Sequence, residues 1–300
     1  MRKFYFSLLG AMFALTVSAQ DFSAQAGMKL DSVYSESADG VRMSKSVYEY
    51  DANGRIVTEY TYNYDFQGVN VVSMIKGVAT YDDQGRLVRE DVYESNGGDY
   101  VLSGYSENSE FDAENRPTVV TEYSIDDENP AAGIQLESKT VVSKYNGQNP
   151  EDYELYAWNG SDWDLYMTMH SDYNAQGLPV KSTQSMSVMG MTYTNTMTYE
   201  YDDHGQILRS ETSSGFGIVT TADYTNTYDA DGNLIKQVCS TMGTDVTMYL
   251  FWSKGGSAGL DRVMDSEKAS AYYDLGGRRL NGQPTKKGIF IHNGKKVYNK

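Results

Sequence analysis

The sequence predicts an all-β chain of repeated antiparallel hairpins, forming a long coiled or partly closed β-meander sheet with a small β C-terminal tail. Three observations predict it. The 300 residues hold 26 Tyr and 28 Gly but only 5 Pro, a balance that suits pleated strands divided by turns. Beyond the first twenty positions no window keeps a helical spacing of apolar residues. One turn motif recurs seven times, at start-to-start spacings of 31, 30, 34, 28, 28 and 27 residues.

The motif is an aromatic, then Asp or Asn, two variable residues, usually Gly, and an apolar pair soon after. It reads Tyr50-Asp51-Ala52-Asn53-Gly54-Arg55 and Tyr81-Asp82-Asp83-Gln84-Gly85-Arg86, with weaker copies at Phe111 and Tyr145. It continues at Tyr173-Asn174-Ala175-Gln176-Gly177, Tyr201-Asp202-Asp203-His204-Gly205 and Tyr228-Asp229-Ala230-Asp231-Gly232. An Asp or Asn side chain at the first turn position accepts hydrogen bonds from the backbone two residues on, and Gly at the fourth tolerates a positive φ.

The flanks alternate as strands do. Ile56, Thr58, Tyr60, Tyr62 and Tyr64 share one face, opposite Arg55, Val57, Glu59, Thr61 and Asn63. Met191, Tyr193, Asn195, Met197, Tyr199 and Tyr201 likewise oppose Thr192, Thr194, Thr196, Thr198 and Glu200. One face is aromatic and needs covering, so the sheet coils, folds over or closes. A period near 30 holds two strands of about ten residues, hence about fourteen strands and a sheet about 65 Å long if open. The second turn of the unit falls at Asn96-Gly97-Gly98 and Asn159-Gly160-Ser161. Trp158 and Trp163 flank the latter and either pair across the strands or stack on a sugar ring.

The ends read differently. Arg2 and Lys3, the apolar run Phe4–Val17 and Val17-Ser18-Ala19 form a signal peptide over residues 1–19. An N-terminal segment, 20–43, precedes the repeats at 44–252. A linker, 253–268, leads to a tail at 269–300 that carries seven basic residues and one acid, Asp274. The formal net charge is −16, which leaves −24 on Gln20 to Lys268. A body that acidic repels nucleic-acid phosphates. Cys239 is the single cysteine, so no intrachain disulfide forms.

The Tyr-Asp-x-x-Gly-Arg core at Tyr50 and Tyr81 resembles the YD repeats of the RHS-like family over roughly Ser44 to Cys239. The resemblance implies the strand–turn–strand architecture. It does not extend to the hollow shell of the large members, for which this chain is too short. Tyr273-Asp274-Leu275-Gly276-Gly277-Arg278, Lys287-Gly288-Ile289-Phe290-Ile291 and Gly294-Lys295-Lys296-Val297 resemble the end of a type IX secretion C-terminal sorting domain. That likeness implies the secretion machinery as a partner. A diverged capping repeat is the alternative.

Chemistry-bearing sets are few. His170, His204 and His292 fit no metal spacing. Gly255-Gly256-Ser257-Ala258-Gly259 matches a nucleophile elbow but lacks its strand and helix. Asp82-Asp83, Asp126-Asp127 and Asp202-Asp203 lack a cleft that would make them glycosidase carboxylates. Asp229, Asp231 and Asn233 form part of a calcium loop without its last ligand, so weak Ca²⁺ binding is the one cofactor expectation. The expected function is an exported, non-enzymatic, secreted or cell-surface protein of a Gram-negative bacterium, with the periplasm as alternative location. It would use the sheet for adhesion or for binding a glycan or protein. A secreted hydrolase acting on polysaccharide or peptide is the second reading. An outer-membrane barrel is the third, opposed by Thr-rich faces that make a poor lipid-facing band.

Overall fold

In the computed structural model the described residues are 27–95, 97–125, 130–188 and 191–254, with short backbone stretches of the tail. The signal peptide, Asp126-Asp127 and the Gly255–Gly259 string lie outside them. The strands are β1 Met28–Ser37, β2 Arg42–Tyr50, β3 Ile56–Tyr64, β4 Val71–Tyr81, β5 Leu87–Ser95 and β6 Val101–Phe111. They continue as β7 Pro117–Ile125, β8 Ile134–Asn146, β9 Asn149–Trp158, β10 Trp163–Tyr173 and β11 Pro179–Val188. The last are β12 Met191–Tyr201, β13 Ile207–Ser213, β14 Val219–Tyr228, β15 Leu234–Thr241 and β16 Thr244–Lys254.

Every hairpin pairs antiparallel with the next, and β1 pairs with β16, from Met28 opposite Lys254 to Ser37 opposite Val246. The sheet is therefore a closed barrel of 16 strands. This corrects the expected coiled or partly closed meander. An open sheet leaves two unpaired edges, and closure removes both. The first of the extra strands comes from the segment ahead of the repeats.

Following paired residues once round the wall from Val33 returns to β1 displaced by about 20 residues. With 16 strands, that offset implies a tilt of about 40° and about 30 Å between opposite backbones.

The motif turns lie on one rim, where Met28 and Lys254 also sit. In the turn at Asp82, the carboxylate Oδ1 accepts from the Gln84 and Arg86 amides, each at 2.9 Å. Oδ2 accepts from Arg86 Nε at 2.7 Å. Gly85 takes φ +83° and donates its amide to the Asp82 carbonyl at 2.9 Å. Asn115 adopts the same left-handed conformation, φ 64°, in the decayed copy.

Successive turns are tied together. The phenols of Tyr50, Tyr173 and Tyr201 donate to the carbonyls of Leu30, Pro150 and Pro179 at 2.9, 2.7 and 2.6 Å. Tyr145 donates likewise to the Pro117 carbonyl. Arg55, Arg86 and Arg116 lie over the rings of Tyr81, Phe111 and Tyr145 at 4.2, 4.2 and 4.5 Å. The turn motif is thus a rim-long lattice as well as a local bend.

The tail is a separate unit, Gly256–Lys300. Its short strands β17 Tyr272–Tyr273, β18 Arg279–Leu280, β19 Gly288–His292 and β20 Lys295–Asn299 form one sheet in the order β18-β17-β19-β20.

Candidate functional site

Exposure separates the two faces of the wall. The pairing register carries one face through Arg89, Glu107, Thr121, Lys139 and Tyr156. Further round, the same face passes through Asp152, His170, Thr183 and Thr196. Its charges are wet: His170 is 48% exposed and Asp223 62%. The opposite face includes Ser138, Thr140, Leu155, Met167, Ser171 and Gln184, each less than a tenth exposed. On a closed barrel the concave face is the more enclosed, so the withdrawn face is the lumen and the charged face the outside.

Charge neutralisation organises the outer wall. Arg89 joins Asp91 and Glu107 at 2.7 and 2.9 Å and covers the Tyr105 ring. Lys76 lies between the rings of Tyr60 and Tyr93. Arg209 meets Asp223 at 2.9 Å. Tyr60, Tyr62 and Tyr64 stand on this outer wall, so in β3 the tyrosine face is not the covered one. In β12 it is: Tyr199, opposite Ser210, faces the lumen.

The lumen face is built of small and uncharged side chains, among them Gly77, Ala79, Gly104 and Ser106, plus three carboxylates on alternate strands: Glu59, Glu90 and Glu122. Burial raises all three above the usual carboxylate range, and Glu122, next to Ser138, is pushed up to about 7. Sequence reading missed them because a lone Glu in an alternating strand looks solvated. Near the motif rim, Leu30, Tyr48, Leu234 and Leu250 form a buried apolar cluster.

The two rims differ. The turns of the motif rim are built mostly of polar residues, with Leu208 and Ile235 partly exposed on the strands that follow two of them. On the opposite rim, the turns joining β3 to β4, β13 to β14 and β15 to β16 hold out Phe66, Phe216 and Met242, exposed to 89, 73 and 88%. Val71, Val101 and Val219, at the starts of β4, β6 and β14, are exposed beside them.

The expected site residues fall as follows. Tyr50, Asp51, Gly54, Tyr81, Asp82, Gly85, Tyr173, Gly177, Tyr201, Asp202, Gly205, Tyr228, Asp229 and Gly232 all lie in the rim turns or at the strand ends beside them. Trp158 and Trp163 pair across β9 and β10, edge to face at 5.1 Å. Asp229 uses its carboxylate on the amides of Asp231 and Asn233 and on the Asn233 side chain, at 2.8 to 3.0 Å. It is thereby occupied by its own turn rather than aimed at a cation.

His204 stacks on Tyr228 at 4.1 Å. His170 bonds Asp152 at 2.6 Å and Asp172 at 3.3 Å, and these contacts raise its pKa, the Asp152 hydrogen bond most. Glu151, Asp152 and His170 offer ligand atoms within 4.8 Å of one another. Asp152 and His170 also bound a shallow recess of about 280 Å³ on the outer wall together with Ser143, Thr168 and Thr183. Chain spacing could not reveal this set, because cross-strand register assembles it. Glu151 is also paired with Lys144.

The fold thus defines a class: a closed 16-strand antiparallel barrel with a charged outer wall. No family model and no curated protein matches the chain. Among solved structures, a porin-like protein from Bacteroides uniformis aligns over 75% of this chain and 98% of its own, with 12% identity and a TM-score of 0.49. A porin-like protein from Bacteroides vulgatus covers the same shares with 8% identity and a TM-score of 0.37. These likenesses are too distant to carry function.

Closure overturns the expected function. An adhesin or ligand-binding protein displaying a long free sheet has no counterpart in a wall joined edge to edge. The hydrolase reading falls as well, since Asp202 and Asp229 are each engaged in a separate turn. Among the described residues no helix is long and apolar enough to cross a membrane, which says nothing of strands.

Proposed function

We propose that the protein is a non-enzymatic barrel of the cell envelope that stands in water and whose working part is its enclosed lumen, a compartment for a small organic solute. The observation that carries this is the division of charge across the wall. Ionic groups such as Arg89, Lys139, Asp152 and Arg209 occupy outward positions along the strands. An outward Arg or Lys at the middle of a bilayer costs about 2–4 kcal/mol each. A barrel about 30 Å wide is more than small lumen side chains fill. The signal-like residues 1–19 and the basic tail at 269–300 support export.

The test uses the chain without residues 1–19, produced without detergent. It is expected to stay in the supernatant after ultracentrifugation and to give no step conductance in planar bilayers. It should take up an environment-sensitive cationic dye, and Ser106→Trp, which sets a bulky ring on the lumen wall between Glu90 and Glu122, should weaken that uptake. Dye uptake indifferent to Ser106→Trp would end the lumen reading.

A second reading, a membrane-spanning pore, is favoured by the even strand number, the 16-strand closure and both barrel ends meeting at one rim. Detergent-dependent solubility with step conductance would select it.

A further inference from the structure

We propose that Glu151, Asp152 and His170 form a binding site for one Zn²⁺ ion on the outer wall, close to the motif rim. The three side chains offer ligand atoms within 4.8 Å of one another. Cross-strand register sets Asp152 directly opposite His170. Glu151 joins them through a break in the ladder: Asp152 pairs with Lys144 and Pro150 with Tyr145, so the register skips Glu151. Strict alternation would send residues 151 and 152 to opposite faces, and a bulge re-aims one of them. The backbone here is clamped. The Tyr173 phenol donates to the Pro150 carbonyl at 2.7 Å, and the Asn149 side-chain amide donates to the Gly177 carbonyl at 3.1 Å.

The far side of the His170 ring gives a second, independent sign. Nδ1 lies 2.6 Å from Asp152 and Nε2 lies 3.3 Å from Asp172. A neutral imidazole has one N–H and cannot donate to both carboxylates. With a metal ion at Nδ1, the Nε2–H is free to donate to Asp172, the carboxylate–histidine arrangement that orients metal ligands. An imidazolium ion-paired on both sides is the alternative that a zinc titration separates. Tetrahedral bonds of about 2.0–2.2 Å set ligand atoms about 3.3–3.6 Å apart. Small rotations reach that spacing, because the His170 and Asp152 side chains are 48 and 38% exposed. The recess beside them leaves the fourth position to water.

Donor chemistry selects the ion. An imidazole with two carboxylates suits Zn²⁺, whereas Ca²⁺ takes six to eight oxygen ligands and gains little from a ring nitrogen. Acids outnumber bases around the site: Glu154 shares the recess and Asp172 backs the ring, against Lys144 and Lys181. Lys144 is ion-paired with Glu151 and well exposed. It competes with the metal for that carboxylate, and its flexible stem lets the ammonium swing into water when the ion binds.

The experiment is calorimetric titration of zinc chloride into the metal-free chain without residues 1–19. The expected result is one equivalent of bound Zn²⁺, a zinc-dependent rise in the thermal transition, and no displacement by equimolar Ca²⁺. His170→Ala should lose that equivalent while keeping the zinc-free thermal transition, and His204→Ala should keep it. Asp172→Ala, which removes the partner of Nε2, should bind about tenfold more weakly. Lys144→Gln should bind more tightly, an effect that a plain network of surface ion pairs does not produce. Should His170→Ala unfold, Asp152→Asn, at an exposed position, should still weaken zinc binding. Absence of the zinc equivalent overturns the proposal. So does zinc binding that His170→Ala leaves unchanged, or its displacement by equimolar Ca²⁺.

Discussion

The phenol of Tyr81 donates to the backbone carbonyl of Ile56 at 2.8 Å, 25 residues earlier in the chain, while Arg55 covers its ring at 4.2 Å. This pair shows why the motif keeps tyrosine rather than any apolar residue. The hydroxyl caps a strand-end carbonyl of the previous hairpin, and the ring face receives the guanidinium of the previous turn. Phe111 keeps the ring contact, with Arg86, and lacks the hydroxyl.

Removing that hydroxyl should cost stability without changing the fold. Tyr81→Phe is expected to lower stability by about 1 kcal/mol, and Phe111→Tyr to change it less. Denaturant unfolding followed by tyrosine fluorescence measures both. Equal stability of Tyr81→Phe and the parent would show that the bond adds nothing.

The left-handed turn position gives a second prediction. Gly85 at φ +83° and Asn115 at φ 64° occupy equivalent places. Gly85→Ala should destabilise by about 1 kcal/mol, because a Cβ is strained there. Asn115→Gly should be neutral or gain about 0.5 kcal/mol. The two thermal transitions must move in opposite directions or the second must stay still; a fall in both would contradict the account.

Asp202 differs from its counterparts. Burial tends to raise its pKa, but hydrogen bonds from Tyr228 at 2.6 Å, the Gln206 amide at 2.9 Å and Asn226 at 2.9 Å bring it below the usual range. Stability from this carboxylate is present above the unfolded-state pKa and lost as pH falls through the folded one. Asp202→Ala should cost about 1–2 kcal/mol at pH 7 and much less at pH 3. Unfolding curves at the two pH values decide it.

Glu122 has the opposite sign. Its folded-state pKa is raised from 4.5 to about 7, so its protonated form is favoured in the barrel. The contribution is fully present below about pH 4.5 and fades as pH rises through 7. Glu122→Gln should therefore raise stability at pH 8, by up to about 3 kcal/mol, and leave it nearly unchanged at pH 4. A variant whose pH profile parallels that of the parent would place the carboxylate in water.

Much of the local structure was legible in single residues. Asp82 and Gly85 announce a turn because an Asp side chain and a Gly backbone do there what few others can. Alternation in β3 and β12 announces strands. Which face of each strand looks inward was not legible. Tyr60 and Tyr62 stand outside with Lys45 and Lys76 as neighbours, while Tyr199 looks in, and both alternations read alike in one dimension. The Glu151–Asp152–His170 set was hidden for the same reason: it exists only once β9 and β10 are in register.

The sequence by itself determined the turns, the strands and the antiparallel neighbour order, because each depends on residues close along the chain. Tertiary structure alone decided that β1 meets β16, that the sheet encloses a lumen, and that apolar tips gather on one rim. The physical reason is accumulation. Each hairpin adds a small register offset and twist, and only the sum over sixteen strands brings Tyr34 opposite Tyr249.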